Sequence, residues 1–159
     1  MPLQVNIRHL EDKDIRLQGE LPAAELDLGN NDELIRVSLP VRYDLTAQRV
    51  GDAILLQGRI ELTLDCECAR CLKPFQHRIE LADWAAHLPL EGPEKVEIKD
   101  DLADLTPCLR EDILLEYPQH PLCEAGCAGL PNRAKKQETK GASPTEDSSA
   151  WSELNKLKF

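Results

Sequence analysis

The sequence predicts an α+β protein: a mainly antiparallel β sheet or partly closed barrel with one packed helix and a disordered C-terminal tail. Three observations predict it. Apolar and polar residues alternate through residues 39–65 and again from Phe75, the two-residue period of half-buried strands. One later stretch repeats every four residues at Leu105, Leu109, Ile113 and Tyr117, as one stripe of a helix does. The strand patterns also cluster instead of alternating with helices, which separates α+β from α/β layering.

Gln4 to Leu10 and Ile15 to Leu21 read as strands on either side of the charged run Glu11-Asp-Lys-Asp14. Leu39, Val41, Tyr43 and Leu45 then alternate with Pro40, Arg42, Asp44 and Thr46, and Pro40 marks a strand start or an edge. Gln48 to Asp52, containing Gly51, reads as a turn. Beyond it Ile54, Leu56, Gly58, Ile60, Leu62 and Leu64 form the clearest strand pattern in the chain. Phe75, His77, Ile79 and Leu81 resume the alternation, so Cys68-Ala-Arg-Cys71 falls at the tip of a long hairpin. Acidic residues fill Glu91 to Asp104, and from Glu94 to Asp104 the stretch lacks the glycine of a calcium loop, the composition of a solvated face. Thr106-Pro107 supplies an N-cap and a first-turn proline, and Pro118 and Pro121 stop the helix.

A chain of 159 residues holds one domain and a tail. The expected division is a single α+β domain over residues 1–131, a disordered linker over 132–150, and a short C-terminal helix over 151–159. The linker is rich in Lys, Gln, Glu, Ser, Thr and Gly, with almost nothing to bury, whereas Trp151, Leu154 and Leu157 recur at helical spacing. Hydrophobic residues make up 42% of the chain but aromatic ones only 4%, so the core must be built from Leu, Ile and Val. No run of about 18 apolar residues occurs, and Met1 to Asp14 lacks the basic and apolar blocks of a signal peptide. A soluble, cytoplasmic protein without a membrane partner is the expectation. A formal net charge of −10 repels phosphate backbones and disfavours general, direct RNA binding.

Six cysteines without an export signal point to reduced thiols or metal thiolates instead of disulfides. Cys68 and Cys71 form a C-x-x-C pair in a turn, a geometry that lets two thiolates chelate one tetrahedral ion. About 50 residues later Cys123 and Cys127 offer a second pair, with Gly126 and Gly129 permitting a tight turn. Together they outline a four-cysteine zinc site, which would be structural because no coordination position stays open for water or substrate. The competing reading is a set of reduced, part-buried thiols without metal. A zinc-thiol redox module is a third reading, although C-x-x-C redox motifs sit at a helix start in a βαβ pattern absent here. Cys66 shares a strand face with Cys68 as an alternative ligand, Cys108 reads as a buried helical thiol, and His77 and His120 as structural residues. No catalytic residue is assigned: the phosphate loop, the nucleophile elbow, the H-E-x-x-H zinc helix and the dinucleotide fingerprint are all missing.

Several segments together resemble the YceD family, the large ribosomal RNA subunit accumulation proteins. They are Leu64-Asp-Cys-Glu-Cys-Ala-Arg-Cys-Leu-Lys-Pro-Phe75, Asp101-Leu-Ala-Asp-Leu105, Arg110-Glu-Asp-Ile-Leu-Leu-Glu-Tyr-Pro118, Pro121-Leu-Cys123, Cys127-Ala-Gly129 and the closing Trp151-x-x-Leu-x-x-Leu157. Many members of that family continue with a further C-x-x-C-G turn after the position of Gly129, where this chain has no cysteine. The resemblance implies a non-enzymatic role in the synthesis, processing or stability of large-subunit ribosomal RNA during ribosome assembly. Net charge adds the expectation that the partners are basic ribosomal or ribosome-assembly proteins, met through an Asp and Glu surface, or that the Lys-rich tail is used locally. An RNA-processing enzyme with an unrecognised active site is the alternative from another class.

Overall fold

The structure is a computed structural model that describes residues 2–28 and 32–131. The expected linker over 132–150 and terminal helix over 151–159 lie outside these residues. In chain order the elements are β1 (Gln4–Asn6), α1 (Ile7–Asp12), β2 (Ile15–Leu21), β3 (Ile35–Arg36), β4 (Val41–Val50), β5 (Ala53–Glu67), β6 (Pro74–Pro89), β7 (Ile98–Lys99), β8 (Leu102–Asp104) and α2 (Thr106–Leu115). Every strand pairing is antiparallel. A five-stranded sheet, curled into a half-barrel, carries β2, β4, β5 and β3 in that order, with β6 on the other side of β5. A small sheet in the order β1, β8, β7 completes the α+β architecture.

The strand β5 organises the molecule. Its even residues Ile54, Leu56, Ile60, Leu62, Leu64 and Cys66 are buried, whereas Gln57 and Arg59 on the opposite face are exposed. The turn before it is tighter than Gln48 to Asp52: Val50 pairs with Ala53, leaving only Gly51 and Asp52 as the loop. Gly51 sits at φ +60°, the backbone region that a two-residue hairpin with glycine at its first position requires. Val41 opens β4 just after Pro40, which has no N–H to give to the ladder, and Leu39 is left half exposed.

Gly58 lies where β5 bends closest to β4. It has φ +153°, and a Cβ there would stand 2.1 Å from the Asp44 carbonyl oxygen. Directly beyond it the pairing with β6 slips: Gly58 faces Trp84 but Ile60 faces Leu81, so Ala82 and Asp83 oppose the single residue Arg59. This bulge exchanges the two faces of β6, and the inward residues pass from Phe75, Ile79 and Leu81 to Trp84, Ala86 and Leu88. The strand therefore runs on to Pro89, well past the alternation visible in sequence.

Two local expectations are corrected. Residues 4–10 do not form one strand, because Asn6 turns the chain: its side chain accepts the Arg8 N–H at 3.0 Å, starting α1, with Leu10 as the buried residue of that helix. Thr106 is not the cap of α2 either. The N-cap is Leu105, with no side-chain cap bond, and the Asp104 carboxylate accepts the Thr106 N–H at 3.0 Å. The Thr106 hydroxyl is used elsewhere, accepting the Leu3 N–H at 2.9 Å inside the core. The helix stripe holds at Leu105, Leu109 and Ile113, all at 0% exposure, but α2 ends at Leu115, so Tyr117, read as its last member, lies beyond the helix and is half-buried. Trp84 ties β6 to α2 by donating its indole N–H to Asp112 at 2.7 Å. No helix among the described residues is long and apolar enough to cross a membrane.

Candidate metal centre

The β5–β6 hairpin ends in a knuckle built from its own backbone. The Cys68 N–H donates to the Lys73 carbonyl at 2.9 Å and the Leu72 N–H to the Cys68 carbonyl at 2.9 Å, which folds Cys68 and Cys71 toward the same side. Closing this turn places Leu72 at φ +61°, an unusual conformation for a bulky residue, with its side chain 56% exposed. After α2 the chain returns to the knuckle and is clamped there. The Ala69 N–H donates to the Pro121 carbonyl at 2.7 Å, and the Arg70 guanidinium donates to the Cys127 carbonyl at 3.0 Å. Gly129, at φ +84°, packs over the Arg70 carbonyl.

These contacts bring Cys68, Cys71, Cys123 and Cys127 together, with all four Sγ atoms within 4.8 Å of one another. The Cys68 and Cys127 sulfurs are 3.7 Å apart and the Cys71 and Cys123 sulfurs 3.6 Å. Sulfurs at the corners of a tetrahedron around zinc, with bonds of about 2.3 Å, stand about 3.8 Å from each other, so the spacing fits such an ion. Cys68 and Cys127 are buried, and Cys71 and Cys123 half-buried. Among the described residues the donor set is four thiols, enough to fill a tetrahedral ion's coordination, a composition that holds an ion without offering it to a substrate.

Electrostatics within the cluster are uneven. The backbone N–H of Cys123 pulls the Cys68 thiol down to about 6 against the cost of its burial, with further N–H groups from Cys71 and Arg70 helping. Cys123 is pushed up to about 12, by burial first and then by thiol hydrogen bonds with Cys71, Cys127 and Cys68. At Cys127 the Gly129 N–H pulls downward, but burial and the Cys71 and Cys68 thiols outweigh it, and the net shift is upward. Without a cation the cluster thus eases ionisation at Cys68 and opposes it at Cys123 and Cys127. A divalent cation held by these four sulfurs would relieve that opposition.

A family model described as the large ribosomal RNA subunit accumulation protein YceD matches residues 56–158, a span that holds all but the first three residues of the hairpin, α2 and all four cysteines. The chain belongs to this family. It is 30% identical over 95 residues to an uncharacterized protein of Mycobacterium tuberculosis, an alignment covering 55% of this chain and 46% of the relative. It is 26% identical over 125 residues to the uncharacterized protein YlbN of Bacillus subtilis, covering 73% of this chain and 63% of that protein. The chain thus spans about half the length of the mycobacterial relative. No solved structure matches it.

The remaining candidates stay outside the cluster. Cys66 packs into the core, where burial raises its thiol, with the charges of Asp65 and Asp32 adding to the shift. Cys108 is raised to about 11 by burial first and then by the Asp112 and Glu111 carboxylates. His77 and His120 are exposed, and among the described residues neither joins the four thiols. Sequence reasoning overlooked Arg70 and Pro121, whose contacts lock the two cysteine segments together. The only signal for Arg70 was its place inside the C-x-x-C pair, and Pro121 read merely as a helix stop.

Proposed function

We propose that this protein is a non-enzymatic factor supporting the synthesis, processing or stability of large-subunit ribosomal RNA during ribosome assembly, acting through protein contacts in the cytoplasm. Membership of the accumulation-protein family, over a span reaching from β5 through the cysteine pairs, is the observation that carries this reading. The acidic balance favours basic ribosomal or assembly proteins as partners over nucleic acid, since a net charge of −10 opposes phosphate contact. Residues 1–131 act as one α+β domain in this reading.

Within it, Cys68, Cys71, Cys123 and Cys127 hold one structural zinc ion. Support comes from the mutual approach of four thiols that stand 52 and 59 residues apart in their contacting pairs. When bound, the ion supplies cross-linking of the hairpin tip to the segment after α2 and no reaction chemistry. The experiment has two arms. Affinity capture of the tagged full chain from growing cells should retrieve precursors of the large ribosomal subunit and basic proteins bound to them, and the purified chain should not turn over RNA. Capture free of ribosomal material, or metal-dependent RNA cleavage by the pure chain, overturns the functional reading. Elemental analysis should find one zinc per chain, and its absence overturns the metal reading.

A further inference from the structure

Two thiol contacts at the centre run between the cysteine segments. Cys68 meets Cys127 at 3.7 Å, and Cys71 meets Cys123 at 3.6 Å. A C-x-x-C motif read alone suggests a local Cys68–Cys71 disulfide, but here the backbone clamps the segments against each other. The bonds from the Ala69 N–H to Pro121 and from the Arg70 side chain to Cys127 hold them in register whether or not the sulfurs carry metal. A disulfide needs its sulfurs at about 2.05 Å, so each facing pair can close by side-chain movement of under about 2 Å.

We propose that the centre is a redox-responsive staple: oxidation links Cys71 to Cys123 and Cys68 to Cys127, so that covalent bonds replace the metal in joining the hairpin tip to the segment after α2. The reduced state of this device rests on the zinc reading above. The oxidant is a hydroperoxide. Its O–O bond breaks as the Cys71 or Cys123 thiolate, the half-buried pair, takes one oxygen to become a sulfenic acid. The facing thiolate attacks that sulfur, forming S–S and releasing hydroxide. Forming each disulfide removes two electrons from a pair of thiolates, reduces one hydrogen peroxide and, with two protons, yields two waters. The complete centre uses two peroxides, takes up four protons from solvent and frees one zinc ion. The buried pair, Cys68 and Cys127, closes second.

Zinc-loaded full chain titrated with hydrogen peroxide tests this, with freed zinc read by a chromogenic chelator and disulfides mapped by mass spectrometry of non-reduced peptides. One zinc released per chain, Cys71–Cys123 appearing before Cys68–Cys127, and a native circular dichroism spectrum after oxidation are the expected results. Local Cys68–Cys71 and Cys123–Cys127 links, bonds to Cys66 or Cys108, or sulfinic acids without disulfides overturn the proposal. The metal-free reduced chain, oxidised with diamide in parallel, separates the two ideas. If the chain never binds zinc but forms the two crossed links, the metal reading fails and the pairing stands. If it binds zinc but forms local links, the pairing fails and the metal reading stands.

Discussion

The two ends of β5 are held by different physics. At its start Ala53, Ile54 and Leu56 are buried while β4 and β6 flank the strand on both sides, so hydrocarbon packing and two hydrogen-bond ladders fix it. Toward its end β4 is lost after the Arg42–Glu61 pair, and only the two residues of β3 replace it. The strand then enters a knuckle surrounded by exposed Leu72, Glu124, Ala125, Gly126 and Leu130. Too little apolar area is buried there to offset the entropy of ordering the loops. On the proposed metal reading, the four thiols and a pair of clamping hydrogen bonds do that work. The comparison teaches that a small aliphatic core can support a long hairpin at its root while the tip depends on local chemistry.

Breaking the packed end should have the largest effect. In Gly58→Ala the new methyl meets the Asp44 carbonyl at 2.1 Å on a backbone at φ +153°. Overpacking and backbone strain together are expected to cost about 3 kcal/mol or more. Urea denaturation measures it, and a variant as stable as the parent would mean that the close crossing of β4 and β5 does not exist in solution. The thiol end comes next. Cys68→Ser should abolish zinc binding and lower stability by several kcal/mol, about 3, since metal binding and folding are linked. A strong chelator should destabilise the parent by a similar amount and leave the variant unchanged in its thermal melt.

Smaller changes sharpen the contrast. Leu72→Gly removes a left-handed backbone penalty of about 1–2 kcal/mol while surrendering little buried area, so a net gain of about 1 kcal/mol is expected in chemical denaturation. A loss instead would show that the leucine side chain packs when the site is loaded. The smallest effect belongs to Tyr117→Phe. The Tyr117 hydroxyl is buried with no hydrogen-bond partner among the described residues, so its removal should leave stability within about 1 kcal/mol of the parent, on the favourable side. Burial first, and then the Cys66 charge, push Tyr117 up to about 12 from an ordinary value near 10. A group raised in this way is kept protonated by the fold, so its contribution is complete below pH 10 and lost as pH rises through 12. Denaturation at pH 10 and above should accordingly show a shallower alkaline decline in the phenylalanine variant than in the parent.

Where burial is periodic along the chain, neighbouring residues alone determined the outcome. The alternation from Ile54 to Leu64 and the stripe Leu105, Leu109 and Ile113 marked a strand and a helix because one face of each must leave water. The sequence likewise determined the metal-ligand chemistry on offer, since C-x-x-C and C-x-x-x-C pairs are recognisable by residue type. Tertiary structure decided the rest. The phase reversal in β6 arises from a bulge set by the close crossing at Gly58, and the helical turn after Asn6 is fixed by Ile7 bonding to the Asp101 carbonyl at 2.8 Å in a distant hairpin. That Cys68 faces Cys127 and Cys71 faces Cys123 depends on the register of a long hairpin, the seat of α2 and the clamp at Ala69 and Arg70. Such contacts between residues more than 50 positions apart are chosen by global packing, and no local propensity records them.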